Sequence, residues 1–276
     1  MPELPEIETI RRRLEPQLTG KRIINVRIKR ADIVGHPTVQ RLIKGVIGRR
    51  ITGLSRRGKY LILNLTGQGK LIFHLRLSGA LFVVEDSKEV KFERLRFGLD
   101  DGKALSFSEP RVLGRVYLIE GNNYPAVLCG MLRMGLEPIE PSFSAKYLQE
   151  KLQSRKARVK TLLLDQRVCC GVGNIYSDEA LFRAGIRPLR RANSLTAREI
   201  ARLAQALRSV LKQGIKWCGT TMDDWRYLLP DGSAGGFQNY LAVFGKAGTA
   251  CRRCGSTIRR VRISNRYSSY CPECQR

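Results

Sequence analysis

Four cysteines near the C-terminus constrain this chain more than any other feature. Cys251 and Cys254 have two residues between them, Cys271 and Cys274 likewise, and sixteen residues separate the pairs. That spacing suits a tetrahedral thiolate site for one structural Zn2+. Two disulfides are the alternative; the absence of a secretory leader speaks against them, because thiols of cytosolic chains are kept reduced. Around a zinc ion the final thirty residues read as a hairpin, with Ser264 and Asn265 at its turn and Arg266 just after it. The other cysteines, Cys129, Cys169, Cys170 and Cys218, lie singly or as a neighbouring pair among apolar residues and are expected to be buried as small hydrophobes.

Charge fixes the class of partner. Over 276 residues, 50 Lys and Arg face 24 Asp and Glu, giving a formal charge of +26 and a pI near 10.3. An excess of that size points to a polyanion. The cations are dispersed among apolar residues instead of forming a basic tail, and 43% hydrophobic content is ordinary for a folded protein, so nucleic acid is a better partner than a membrane surface. No run approaches the roughly 20 apolar residues that span a bilayer. The length fits one large or two medium domains.

Patterning changes near residue 135. Pro5 in a first-turn position, with Leu4, Ile7, Ile10 and Leu14 on one face and Pro16 as a stop, predicts a short amphipathic helix. From residue 22 to 119, β-rich runs such as RIINVRI, YLILNL, KLIFHLRL and RVYLI alternate with Gly, Asn and Asp turns, the pattern of an antiparallel sandwich or barrel. Pro138 and Pro141 mark a linker over 135–142. Helical patterns follow over 145–152, 158–166, 175–184 and 197–213, the last with Thr196 and Glu199 as a capping box and Gly214 as its stop.

Two short segments carry chemistry. Removal of Met1 would turn Pro2 into a free secondary amine with Glu3 beside it, a Schiff-base former with an acid at hand. The bland reading is that proline at position 2 only permits methionine removal, and that Glu3 and Glu6 only favour a helix N-terminus. In GVGNIY, residues 171–176, glycines precede a helix start, which favours an anion; Lys156 and Lys160 upstream strengthen that reading, with a phosphate clamped through Asn174 and Lys160. A turn joining two helices is the simpler alternative. His36 and His74 are the only histidines and neither sits in a triad-like setting.

Taken together, MPELPEIE, RRGKYL with Lys59, GVGNIY and the terminal cysteine hairpin with Arg266 resemble the bacterial formamidopyrimidine-DNA glycosylase family from Met1 to Arg276, in the family's order. Leu4 favours this branch over the related endonuclease VIII branch, which has glycine there. The resemblance implies an α+β chain: an N-terminal antiparallel β-sandwich with a leading catalytic helix (1–134), a linker (135–142), a helix-two-turn-helix DNA-binding domain with a lesion loop (143–245) and a zinc finger (246–276). It implies damaged double-stranded DNA as partner, a monomer, and a bacterial, nucleoid-associated location in the cytoplasm. Pro2 would attack C1′ of a damaged purine nucleotide, Glu3 would handle protons, and Lys59 and Arg266 would assist two phosphate eliminations. Glu6, Leu77, Arg111, Leu113, Lys156, Lys160 and Asn174 would contact DNA.

Departures from the family pattern fall in the parts that fill the DNA gap and sense the lesion. Where the family commonly has DPRRFG this chain has EPRVLG at 109–114, so Val112 replaces an arginine and Leu113 a phenylalanine wedge; Leu77 replaces a methionine, and Phe92 stands at a position that often holds histidine. An aliphatic wedge still fills a gap but gives up aromatic stacking worth roughly 1–3 kcal/mol. Residues 229–244, rich in Gly, Ser and Ala over 232–236, read as a mobile lid over the everted base. Two functions fit: a bifunctional glycosylase and abasic-site lyase acting on oxidised purines, or a noncatalytic binder of damaged or branched DNA that keeps the fold.

Overall fold

A computed structural model describes residues 2–222 and 227–276. In chain order its elements are α1 (Leu4–Leu18), β1 (Ile23–Ile28), β2 (Val34–His36), α2 (Val39–Val46), β3 (Ile51–Arg57), β4 (Tyr60–Leu65), β5 (Gly69–His74), β6 (Ala80–Glu85), β7 (Glu93–Leu99), β8 (Lys103–Ser108) and β9 (Arg115–Glu120). They continue with α3 (Cys129–Leu132), α4 (Ala145–Leu152), α5 (Val159–Leu164), α6 (Asn174–Ala184), α7 (Ala197–Lys216), β10 (Arg259–Ile263) and β11 (Arg266–Tyr270). The chain divides into two compact units, Met1–Leu132 with Trp217–Gln238, and Arg133–Lys216 with Asn239–Arg276. Residues 217–238, which the sequence groups with the helical region, thus make their contacts in the N-terminal unit.

Two sheets build the first unit, one ordered β1-β7-β8-β6 and the other β2-β9-β5-β4-β3. All neighbours are antiparallel except the short β2–β9 pair. The α+β class and the expected sandwich are therefore present, with one parallel edge. Alternating apolar residues of both sheets meet in the core, where Phe73 of β5 stands edge-on to Phe97 of β7 and Phe107 of β8, with ring centroids 6.2 and 5.7 Å apart.

Helix α1 packs on β3 and β4, and residues 2–10 are all buried, not just one apolar stripe. Pro16 does not stop it; the helix runs two residues further. So close to the C-terminal end a proline forfeits only the bond to the carbonyl four residues back, a loss that the burial of Leu14 and Leu18 offsets.

In the second unit α7 packs against α6 and α4, and its Thr196/Glu199 capping box is formed: the Thr196 amide donates to Glu199 at 2.8 Å and the Glu199 amide to Thr196 Oγ1 at 3.3 Å. Gly214 is not the stop of α7, which reaches Lys216. A Cβ at 214 would lie 2.5 Å from the buried Tyr176 ring of α6, so glycine is there for close helix packing. Among the other cysteines, Cys169 and Cys170 are fully buried, and burial pushes the Cys169 thiol up; Cys129 and Cys218 are only half-buried.

Candidate functional site

The first unit places Pro2 and Glu3 at the N-terminal end of α1, both buried. Glu3 is the helix N-cap, and its amide donates to Glu6 Oε2 at 2.8 Å. The other Glu6 oxygen accepts the Thr220 amide at 2.8 Å. Glu6 is therefore an internal brace tying the helix start to the 217–238 segment, and its expected DNA contact is corrected: the side chain is 1% exposed and both oxygens are occupied by backbone. Gly219 beside it has φ +80°, and a Cβ there would lie 2.9 Å from Glu6 Cγ. Met1 and its removal lie outside the described residues.

Lys59 sits with Gly58 in the two-residue turn joining β3 and β4, yet is only 7% exposed. The hairpin is pinned to α1 by Arg56, whose Nε donates to Glu8 Oε2 at 3.1 Å. Burial drives the Glu8 carboxyl upward, but donors from Arg11, Arg12 and Arg56 overcome this and hold it at about 2. The helix whose start carries Pro2 and Glu3 and the hairpin whose tip carries Lys59 are thereby fastened together. His74 completes this region: burial first, then the charges of Arg76 and Lys59, lower it to about 3, so the imidazole is neutral. Its Nδ1 accepts the Arg76 amide at 3.1 Å, and the ring meets Tyr60 edge-on at 4.5 Å.

Leu77 and Leu113 lie on two loops of the same unit, Leu77 half-buried and Leu113 43% exposed, with Arg111 exposed beside it. Phe92 is 47% exposed, with Lys91 and Arg94 over its ring at 5.2 and 6.0 Å. Of the expected lid, residues 235–237 are fastened, with the Gly236 amide on the Trp217 carbonyl and the Phe237 amide on that of Gly219. Residues 242–244, in the second unit, donate their amides to Glu179 at 2.8–2.9 Å. The turn over 229–233 is closed on itself by the Leu229 amide to the Ser233 carbonyl.

In the second unit GVGNIY forms the predicted turn, and α6 starts at Asn174. Asn174 Nδ2 donates to the Tyr267 carbonyl at 3.1 Å, next to Arg266 on β11, while Asn174 Oδ1 is buried with no hydrogen-bond partner. Arg266 and Lys156 are exposed. Lys160 is not: it is wholly buried, and its ammonium meets Asp178 Oδ1 at 2.5 Å. The phosphate contact expected of Lys160 is corrected to an internal ion pair. Asp178 also accepts Ser268 Oγ at 2.5 Å and the Ser269 amide at 3.0 Å, so the pair joins α5, α6 and the C-terminal hairpin.

Cys251, Cys254, Cys271 and Cys274 bring four sulfurs within 4.8 Å of one another. The Cys251–Cys274 and Cys254–Cys271 sulfurs are 3.9 and 3.4 Å apart. Disulfides need about 2.05 Å; a tetrahedron with Zn–S of about 2.3 Å has edges of about 3.8 Å, so the donors fit one structural Zn2+. Amides of Arg253 and Cys274 donate to the Cys251 and Cys271 sulfurs at 3.4 Å each, which stabilises thiolates. Buried Gln275 ties the knuckle to the end of α6 through the Cys271 amide and the Ile186 carbonyl, both at 2.8 Å. The turn falls at Ser264 and Asn265, with Ser264 at φ +54°.

Fold and site define a zinc-finger protein whose β-sandwich begins with a buried Pro-Glu helix start. The formamidopyrimidine-DNA glycosylase N-terminal domain matches residues 1–116, the H2TH domain of the same proteins residues 134–225, and the zinc finger found in FPG and IleRS residues 248–276. The formamidopyrimidine-DNA glycosylase of Pelotomaculum thermopropionicum is 39% identical, covering 100% of this chain and 99% of that one. The crystal structure of the Fpg protein from Thermus thermophilus superposes with a TM-score of 0.90 at 38% identity, covering 99% of this chain and 98% of that one. Lactococcus lactis Fpg in complex with a Fapy-dG-containing DNA gives 0.90 at 34% identity, covering 99% and 100%. The chain belongs to the formamidopyrimidine-DNA glycosylase family.

Proposed function

We propose that this protein is a bifunctional DNA glycosylase and abasic-site lyase of base excision repair, acting on oxidised purines, 8-oxoguanine and formamidopyrimidines, in duplex DNA. With Met1 removed, the Pro2 nitrogen attacks C1′ of the everted nucleotide; the C1′–N bond breaks and the base leaves. Breaking of the C1′–O4′ bond, with a proton delivered to O4′, opens the sugar to an iminium that withdraws electrons, so loss of a 2′ proton expels the 3′ phosphate and a second elimination expels the 5′ phosphate. Glu3 moves protons during base loss and ring opening. Lys59 and Arg266 assist the departing phosphates, Arg111 and Lys156 meet the backbone, and Asn174 offers its amide at the α6 N-terminus. Leu77 and Leu113 fill the gap left by the extruded base, whose unstacking costs a few kcal/mol. The zinc is structural, and the enzyme acts as a cytoplasmic monomer. Among the described residues no helix is long and apolar enough to cross a membrane.

The observation that carries this reading is the burial of Pro2 and Glu3 at the α1 start, with the Lys59 hairpin pinned to the same helix by Arg56 and Glu8. Pro2→Gly and Lys59→Ala are each expected to abolish incision of an 8-oxoguanine duplex while changing DNA affinity by less than about tenfold. Incision at the wild-type rate by both variants would overturn the roles assigned here.

A further inference from the structure

The two loops bearing Leu77 and Leu113 share one buried carboxylate. Glu109 is 0% exposed; its Oε1 accepts Ser78 Oγ at 2.5 Å and the Arg111 amide at 3.1 Å, and its Oε2 accepts the Gly114 amide at 3.0 Å. Ser78 follows Leu77, while Arg111 and Gly114 flank the turn that presents Leu113. The backbone of Glu109 is fixed as well: its amide donates to the Phe92 carbonyl at 3.0 Å and its carbonyl accepts Arg94 Nε at 2.9 Å.

Neither loop has slack. A Cβ at Gly79 would lie 2.7 Å from the Leu75 carbonyl oxygen and 2.9 Å from Phe107, and one at Gly114 would lie 2.7 Å from Phe107 and 2.9 Å from Glu109 Oε2. Both loops therefore rest on the same fully buried ring. Each also carries a non-glycine residue in the left-handed region, Arg76 at φ +53° and Val112 at φ +54°, which persists only where the surroundings enforce it.

From this geometry we infer that Glu109 is a positioning residue that couples Leu77 and Leu113 into one insertion element, so that the two side chains enter the DNA together. The inference rests on the glycosylase reading above, and it assigns Glu109 to base eversion and not to the chemistry at C1′. A site that is already abasic has no base to extrude, and its cleavage should not depend on the coupling.

The test is single-turnover kinetics on two duplexes, one with 8-oxoguanine opposite cytosine and one with a preformed abasic site, with 2-aminopurine beside the lesion reporting eversion. Glu109→Gln replaces an acceptor oxygen with an NH2 group that must face Ser78 Oγ or a backbone amide. It should slow base excision and the fluorescence change together by about tenfold or more, leaving abasic-site nicking within about twofold. Ser78→Ala cuts only the link to the Leu77 loop and should produce a smaller loss in the same step. Glu109→Gln at the wild-type excision rate, or slowed equally on both duplexes, would overturn the inference. A wild-type protein inactive on both duplexes would instead overturn the glycosylase reading and the inference with it.

Discussion

Replacing Lys160 with methionine tests whether its role is internal compensation of charge. Lys160 and Asp178 are 0% and 1% exposed, and Glu179, 3% exposed, lies next in sequence. Burial raises the Asp178 carboxyl against the opposing pull of Lys160, Ser268 and Ser269, and burial likewise raises Glu179. Methionine fills much of the lysine's volume but removes the cation paired with Asp178, leaving that buried carboxyl with the neutral donors Ser268 and Ser269. Breaking a buried pair from one side costs about 3–5 kcal/mol, which for a unit of this size lowers the melting temperature by roughly 12–20 °C. The sign with pH follows from the same carboxylate. Its folded pKa lies above the unfolded value, more so without Lys160, so the folded state takes up a proton first and the variant regains stability as pH falls. Thermal melts of wild type and Lys160→Met at pH 7.5 and 5.5 should show a large deficit that narrows at the lower pH, and Lys160→Met/Asp178→Asn should lose less than Lys160→Met alone. A deficit below about 1 kcal/mol, or one equal at both pH values, would refute the argument.

Further consequences concern packing and protonation. His74 is held near 3 in the fold against about 6.5 unfolded, so between these values the unfolded chain binds the extra proton and stability is lost as pH falls. His74→Gln should remove a slope of about 1.4 kcal/mol per pH unit from the difference in unfolding free energy between pH 6.5 and 4.5, read by urea titration; a parallel pH dependence in both proteins would contradict this. Gly214→Ala gains about 1 kcal/mol of helix propensity but drives a methyl into the buried Tyr176 ring, an overpacking cost of typically 1–3 kcal/mol. A net loss of about 0–2 kcal/mol in chemical denaturation is expected, and a stabilised variant would show that the α6–α7 contact yields.

Features set by near neighbours were legible in the sequence. The CxxC pairs, the Ser264-Asn265 turn, the Thr196/Glu199 cap and the start of α6 within GVGN, one residue earlier than expected, each depend on residues a few positions apart, and each is found in the structure. Misreadings arose where long-range packing decides. Lys160 and Glu6 look like DNA contacts in a chain with 50 basic residues and an acidic helix start, yet both are consumed by partners distant in sequence, Asp178 and Thr220. Gly214 looked like a stop because only the fold brings Tyr176 against it. Glu109 carries no such local signal: its tie to Ser78 spans 31 residues, and the left-handed backbone of Val112, three residues on, is a property of the fold. The membership of residues 217–238 in the N-terminal unit had no local signal either; the Glu6 brace and the tight fit of Gly219 explain it.

The account stands or falls on the Pro2 amine. Borohydride trapping of Met1-processed protein, with removal of Met1 checked by mass, should be carried out on a duplex carrying 8-oxoguanine opposite cytosine and on an abasic-site duplex. A covalent complex with both, absent in an N-acetylated sample, is the predicted result. Retention of DNA binding with no crosslink to either duplex would contradict the mechanism and leave a protein that holds damaged DNA without cutting it.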